Sequence, residues 1–160
     1  MKKAVVIEHV SLEIASSFDS FTYQFEKALG ILMPAALRSL GAVPASMVCY
    51  LNNTADANDL ILFNMLAQDN LLKKENNIKI KQYQIGNPEI MRRMTTNHAG
   101  AGLYLPLHVL VYEKGNGKIA VEYDLPSSQC AQFNNAALLF DASTMENNLI
   151  KLIQLAEAAC

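Results

Sequence analysis

Three histidines, His9, His98 and His108, are the side chains of this 160-residue chain best suited to proton transfer near neutral pH. None stands four residues from another on a helix or in an H-E-x-x-H pattern, so their spacing predicts no metal pair. His98 precedes the sequence Ala99-Gly100-Ala101-Gly102, a flexible loop that would leave its imidazole facing a ligand or a reacting group. Met91 and Met94 would complete a haem or metal site with His98, although methionines at helical spacing are ordinary core residues. His108, Glu122 and Asp124 come nearest to paired acid–base chemistry, and they meet only if one hairpin register holds. Ser127 and Ser128 follow Pro126 without a G-x-S-x-G elbow and read as a turn. No catalytic residue, metal ligand or cofactor is predicted.

The elements that must position these groups are clearest between Gln82 and Phe133. Residues Asn77 to Ile85 alternate like a strand covered on one side, and Gly86-Asn87-Pro88 stops it. Asn87 is a good N-cap, Pro88 suits the first helical position, and Glu89 sits well in the first turn. The helix so begun, with Ile90, Met91 and Met94 on its apolar side, should end before Ala99. An anion at that helix start is disfavoured, since Pro88 has no N–H and Glu89 repels it. Leu105 to Glu113 and Lys118 to Asp124 form a hairpin around Gly115-Asn116-Gly117. A three-residue loop with Gly117 left-handed sets Val111 against Val121 and Val109 against Tyr123, and puts His108 and Asp124 on the opposite face. A two-residue loop would scramble both faces.

Elsewhere, Val5 to Ile14 predicts a strand with a bulge near Glu8-His9. Ser16, Ser17, Asp19 and Ser20 offer several N-cap choices, with Ser16-x-x-Asp19 resembling a capping box, for a helix with the stripe Phe18, Phe21, Phe25, Leu29 and Leu32. A break is expected near Met33, with Pro34 opening a second short helix that Gly41 ends. Residues 42 to 58 are ambiguous, and Leu60 to Met65 is a buried strand or, alternatively, a helix running on through Leu71 and Leu72. Leu138, Ala142, Met145, Leu149, Leu152 and Ala156 keep helical spacing to the end of the chain. Together these elements predict an α+β fold of two layers, an antiparallel sheet with helices packed on one face.

Composition narrows the function classes. A length of 160 residues with 51% apolar content predicts one domain, residues 1–160, with a core that needs no staple. A net charge of -2 and no basic block disfavour nucleic acid as a partner. No apolar run reaches the length of a membrane span. Glu8 and His9 interrupt the apolar run after the initial lysines, so no signal peptide is expected and the cytoplasm is the expected compartment. Cys49, Cys130 and Cys160 lack close pairing and read as reduced thiols.

The segments QYQIGNP, GLYLPLHVLVYE and YDLPSS, in this order around a Met-rich helix, resemble the domain of unknown function 302 family. The resemblance is strong from Gln82 to Phe133 and extends to the first strand and helix in pattern. It implies a TATA-binding-protein-like topology of strand, helix, four strands and helix, and it implies no reaction. Similar sequences carry an Asp-His pair after the strand at Leu60 to Met65, where this chain has Asp69-Asn70. The resulting expectation is a non-catalytic module that binds a small ligand or assembles, with ligand contacts at Asn87, His98, Tyr104, Pro106 and His108. A homodimer is expected because an open antiparallel sheet leaves an edge or face to cover. The alternative is a small enzyme or haem or metal binder using His98 or His108.

Overall fold

In the computed structural model, which describes residues 2–31, 60–68 and 78–160, the alternating stretch after Pro106 forms the hairpin on which the sheet is built. Strands β5 (Leu107–Gly115) and β6 (Lys118–Asp124) pair with Val111 opposite Val121, Leu110 opposite Glu122 and Tyr112 opposite Ala120. This is the register the sequence predicts. The loop, however, has two residues: Gly115 pairs with Lys118, while Asn116 and Gly117 turn the chain at φ 55° and 71°. Two successive positive angles give the tight turn whose twist matches that of the strands. The slip that such a turn would impose is absorbed by a bulge, in which Lys114 is the extra residue between the Glu113–Ile119 and Gly115–Lys118 pairs.

Strand β1 (His9–Ile14) adds antiparallel to the other side of β6, with His9 opposite Asp124 and Leu12 opposite Val121. The predicted start at Val5 and bulge at Glu8-His9 are replaced by a simpler arrangement. Residues 2–8 lie outside the strand, and the Glu8 backbone is tied by its O to Leu125 N at 2.8 Å and by its N to Ser128 Oγ at 3.0 Å. With that segment removed, Val10, Leu12 and Ile14 fall on one face without a slip. Strand β2 (Gly30–Ile31) runs parallel to β3 (Ile61–Ala67), which pairs antiparallel with β4 (Ile80–Gly86), and β4 in turn with β5. The order is β1-β6-β5-β4-β3-β2, five antiparallel strands with a two-residue parallel addition. The helical alternative for Leu60 to Met65 is not taken.

Helix α1 (Phe18–Ala28) is capped by Ser17, whose hydroxyl accepts from Ser20 N, while Ser16 Oγ donates to Ser17 O. Ser17 is one of the N-cap choices the sequence offers, and the helix takes it in place of the capping box at Ser16. Phe18, Phe21, Phe25 and Leu29 are buried as the stripe requires, although the helix itself stops at Ala28, ahead of the break expected near Met33. The second helix expected from Pro34, the ambiguous stretch 42–58, and Cys49, Asp69, Asn70, Leu71 and Leu72 lie outside the described residues. Helix α2 (Pro88–Asn97) is followed by a 3-10 helix (Ala99–Tyr104), so the predicted flexible loop is instead a hydrogen-bonded turn. Helix α3 (Pro126–Ala131) takes the place of the turn predicted at Ser127-Ser128. Helix α4 (Ala136–Ala158) buries all six residues of the predicted stripe and packs against α1, α2 and α3.

Polar contacts pin the helical layer. Tyr83, fully buried on β4, donates its hydroxyl to Glu26 of α1 at 2.7 Å, and Lys81 reaches the same carboxylate. Burial and that bond push the Tyr83 phenol well above its usual range. Arg93 of α2 grips the buried Asp141 of α4 at 2.6 and 3.1 Å. Among the described residues no helix is long and apolar enough to cross a membrane.

Phe25 is fully buried between the rings of Phe21, at 5.7 Å, and Tyr83, at 5.1 Å. Phe25→Ala is expected to cost about 3–5 kcal/mol, read as a lower urea midpoint at unchanged slope. Tyr23→Ala on the exposed face of the same helix should change stability by less than about 0.5 kcal/mol.

Candidate functional site

The residues expected to meet a ligand fall into separate groups. Asn87 Oδ1 accepts from the N–H groups of Glu89 and Ile90 at 3.0 Å, so it caps α2 as predicted. Because Ile85 pairs with Leu107, Asn87 and Pro106 each lie just beyond that last pair, at the same end of the sheet. His98 and Tyr104 sit at the far end of α2. The His98 ring packs on Phe133 at 4.2 Å, and its Nδ1 accepts from Gly100 N. Tyr104 meets Phe133 edge-on and accepts a hydrogen bond from Gln132. Gly100 admits this stacking, since a Cβ there would stand 3.0 Å from both rings. Phe133 and Gln132, which join His98 to Tyr104, carry no motif that could have marked them in the sequence. His108 lies on the helix-free face of the sheet with its Nε2 3.1 Å from Gln84.

The acid–base grouping exists with a different histidine. Strand β6 has two neighbours, and Asp124 turns to β1 rather than β5: His9 Nδ1 lies 2.8 Å from Asp124 Oδ1 and Nε2 lies 3.5 Å from Glu122 Oε2. Tyr112 and Ser11 donate to the same Glu122 carboxylate. The bond to Asp124, reinforced by both negative charges, raises the His9 pKa above 6.5. Tyr112 and Ser11 help hold Glu122 below the usual carboxylate range, the Tyr112 bond foremost. Sequence reasoning missed His9 because only the β1–β6 register brings it there.

A cleft of about 420 Å³ opens between the start of α1 and the β5–β6 turn. Phe18 and Ile78 supply its apolar surface, Ser16 and Ser17 the helix end, and Lys114 and Lys118 its cationic rim, with Glu113 nearby. Both lysines reach Glu13, at 3.0 and 2.5 Å, and they hold that carboxyl down to about 2, Lys118 contributing most. Lysines flanking a Gly-Asn-Gly turn were the available sequence signal for this rim. Among the described residues no three His, Cys, Asp or Glu side chains group as a metal site. Cys130 is buried, and burial pushes its thiol up to about 11.

Comparison with known proteins agrees with the architecture. The family model described as "Domain of unknown function DUF302" matches residues 46–156. The crystal structure of an uncharacterized conserved DUF302 protein from Bacillus stearothermophilus superposes with a TM-score of 0.66 at 14% identity, covering 92% of this chain and 97% of that one. At that identity the likeness is one of fold. No curated protein matches the sequence.

The His9 geometry is checked by its titration. An imidazole whose pKa rises on folding stabilises the fold at low pH, and that contribution is lost as pH climbs through the raised value. NMR of the His9 ring is therefore expected to give a midpoint above 6.5, with Asp124→Asn moving it back toward that value and flattening the stability change from 6.5 upward. A wild-type midpoint at or below 6.5 would contradict the pairing.

Proposed function

The chain belongs to the family described as Domain of unknown function DUF302, and since that name carries no reaction, we propose from the site itself that it is a non-catalytic module binding a small amphipathic anion in the cleft beside α1. The cleft carries the reading. Its size, about 420 Å³, falls in the range that takes a small organic molecule, roughly 300–1,000 Å³. Its lining combines what an amphipathic ligand requires, the apolar Phe18 and Ile78 together with Lys114 and Lys118. The ligand's anionic group would share the lysines with Glu13, and its apolar part would lie against the ring.

The test is a thermal-shift and NMR screen of the full chain with aromatic and aliphatic carboxylates and phosphate monoesters. A true ligand at about 100 times its Kd should stabilise the fold by about 2.7 kcal/mol and move the signals of Phe18 and Ile78. The double variant Lys114→Ala/Lys118→Ala should weaken binding at least about tenfold, the loss of roughly 1.4 kcal/mol. Absence of stabilisation across the panel, or binding indifferent to both lysines, would remove this reading.

A further inference from the structure

Backbone N–H and C=O groups on an antiparallel strand alternate in direction, so each residue that bonds its neighbour is followed by one that faces away. On β1 the phase is set where Leu125 donates to Glu8 O. In step with Glu8, residues Val10, Leu12 and Ile14 bond toward β6, and His9, Ser11 and Glu13 direct their backbone groups outward. Among the described residues β1 is the terminal strand on that side. Such an edge is a template for another strand.

We propose that β1 pairs antiparallel with β1 of a second copy about a two-fold axis at Ser11, so that two subunits share one continuous sheet. Charge chooses both the occupant and the register. A two-fold axis at Ser11 sets His9 of each copy opposite Glu13 of the other, and it gives His9, Ser11 and Glu13 all a bonded partner. Sliding the strands by two residues shortens this run and places Ser11 against a charged residue instead. Within each subunit Glu13 already lies against Lys114 and Lys118, and His9 against Asp124 and Glu122. The pairing joins these clusters into a row of alternating sign, the favourable arrangement for cross-strand neighbours. On the other face Val10 comes opposite Leu12 of the second copy and covers a side chain left 37% exposed in the monomer. The contact is self-complementary, as a two-fold interface must be.

Size-exclusion chromatography with light scattering on the full chain is expected to give twice 17.6 kDa. Residue-resolved amide exchange should show His9, Ser11 and Glu13 protected and losing protection on dilution. Ser11→Pro removes an outward N–H while leaving every backbone bond to β6 in place, its one loss on that side being the hydroxyl's bond to Glu122, and should yield a monomer that keeps its circular dichroism. If that variant loses its fold, Glu13→Gln provides the test, with dimer Kd expected to rise about fivefold. A monomer at every concentration overturns the proposal. So does a dimer in which those three amides exchange freely or whose Kd ignores Glu13→Gln.

Discussion

Side chains on a strand alternate between its two faces, so a one-residue slip of β6 against β5 would send Val121 to water and carry Glu122 under the helices while β5 kept its place. Burying an unpaired carboxylate costs so much that the chain is held to the other register. The two-residue turn at Asn116-Gly117 is the shape the strands' twist favours, and by itself it would impose the wrong phase. The bulge at Lys114 reconciles the two. From this correction the rest follows: β1 adds to β6 with His9 at Asp124, β4 adds to β5 with Gln84 at His108, and the helices settle on the apolar face.

The β5–β6 hairpin borders both surfaces of chemical interest. Lys114 follows Tyr112, and Lys118 precedes Ala120, by two residues, so both fall on the face of Glu13 and meet its carboxylate at the rim of the cleft. Helix α1 is anchored over β4 by Glu26 on Tyr83 and Lys81 and by Asp19 on Lys79. Its first residues consequently stand beside the hairpin turn, and the space between them is the cleft. The helix-free face receives what the core rejects, and there His9, Ser11, Tyr112, Glu122 and Asp124 satisfy one another across three strands.

Legibility in the sequence followed the range of the interactions. Asn87-Pro88 announced a helix start because capping acts within three residues. The stripe from Leu138 to Ala156 announced α4 because a long helix repeats its signal. The end of α1 was misplaced since Leu29 keeps the apolar spacing after the helix has stopped, and burial continues along an extended segment as well as a helical one. The Ala99-Gly100-Ala101-Gly102 run looked mobile by composition, whereas His98 capping Gly100 and stacking on Phe133 holds it as a turn.

Periodicity, caps and glycine placement thus determined the α+β class, the hairpin register, both long helices and the absence of a recognisable catalytic motif, since all of these are local preferences written residue by residue. The pairing of β1 with β6, the bulge that shortened the turn, the choice of His9 over His108 as partner of Asp124, and the cleft beside α1 belong to tertiary structure. Each depends on which segments meet across more than a hundred residues or on how two competing local preferences are reconciled, and neither is encoded in any single stretch of chain.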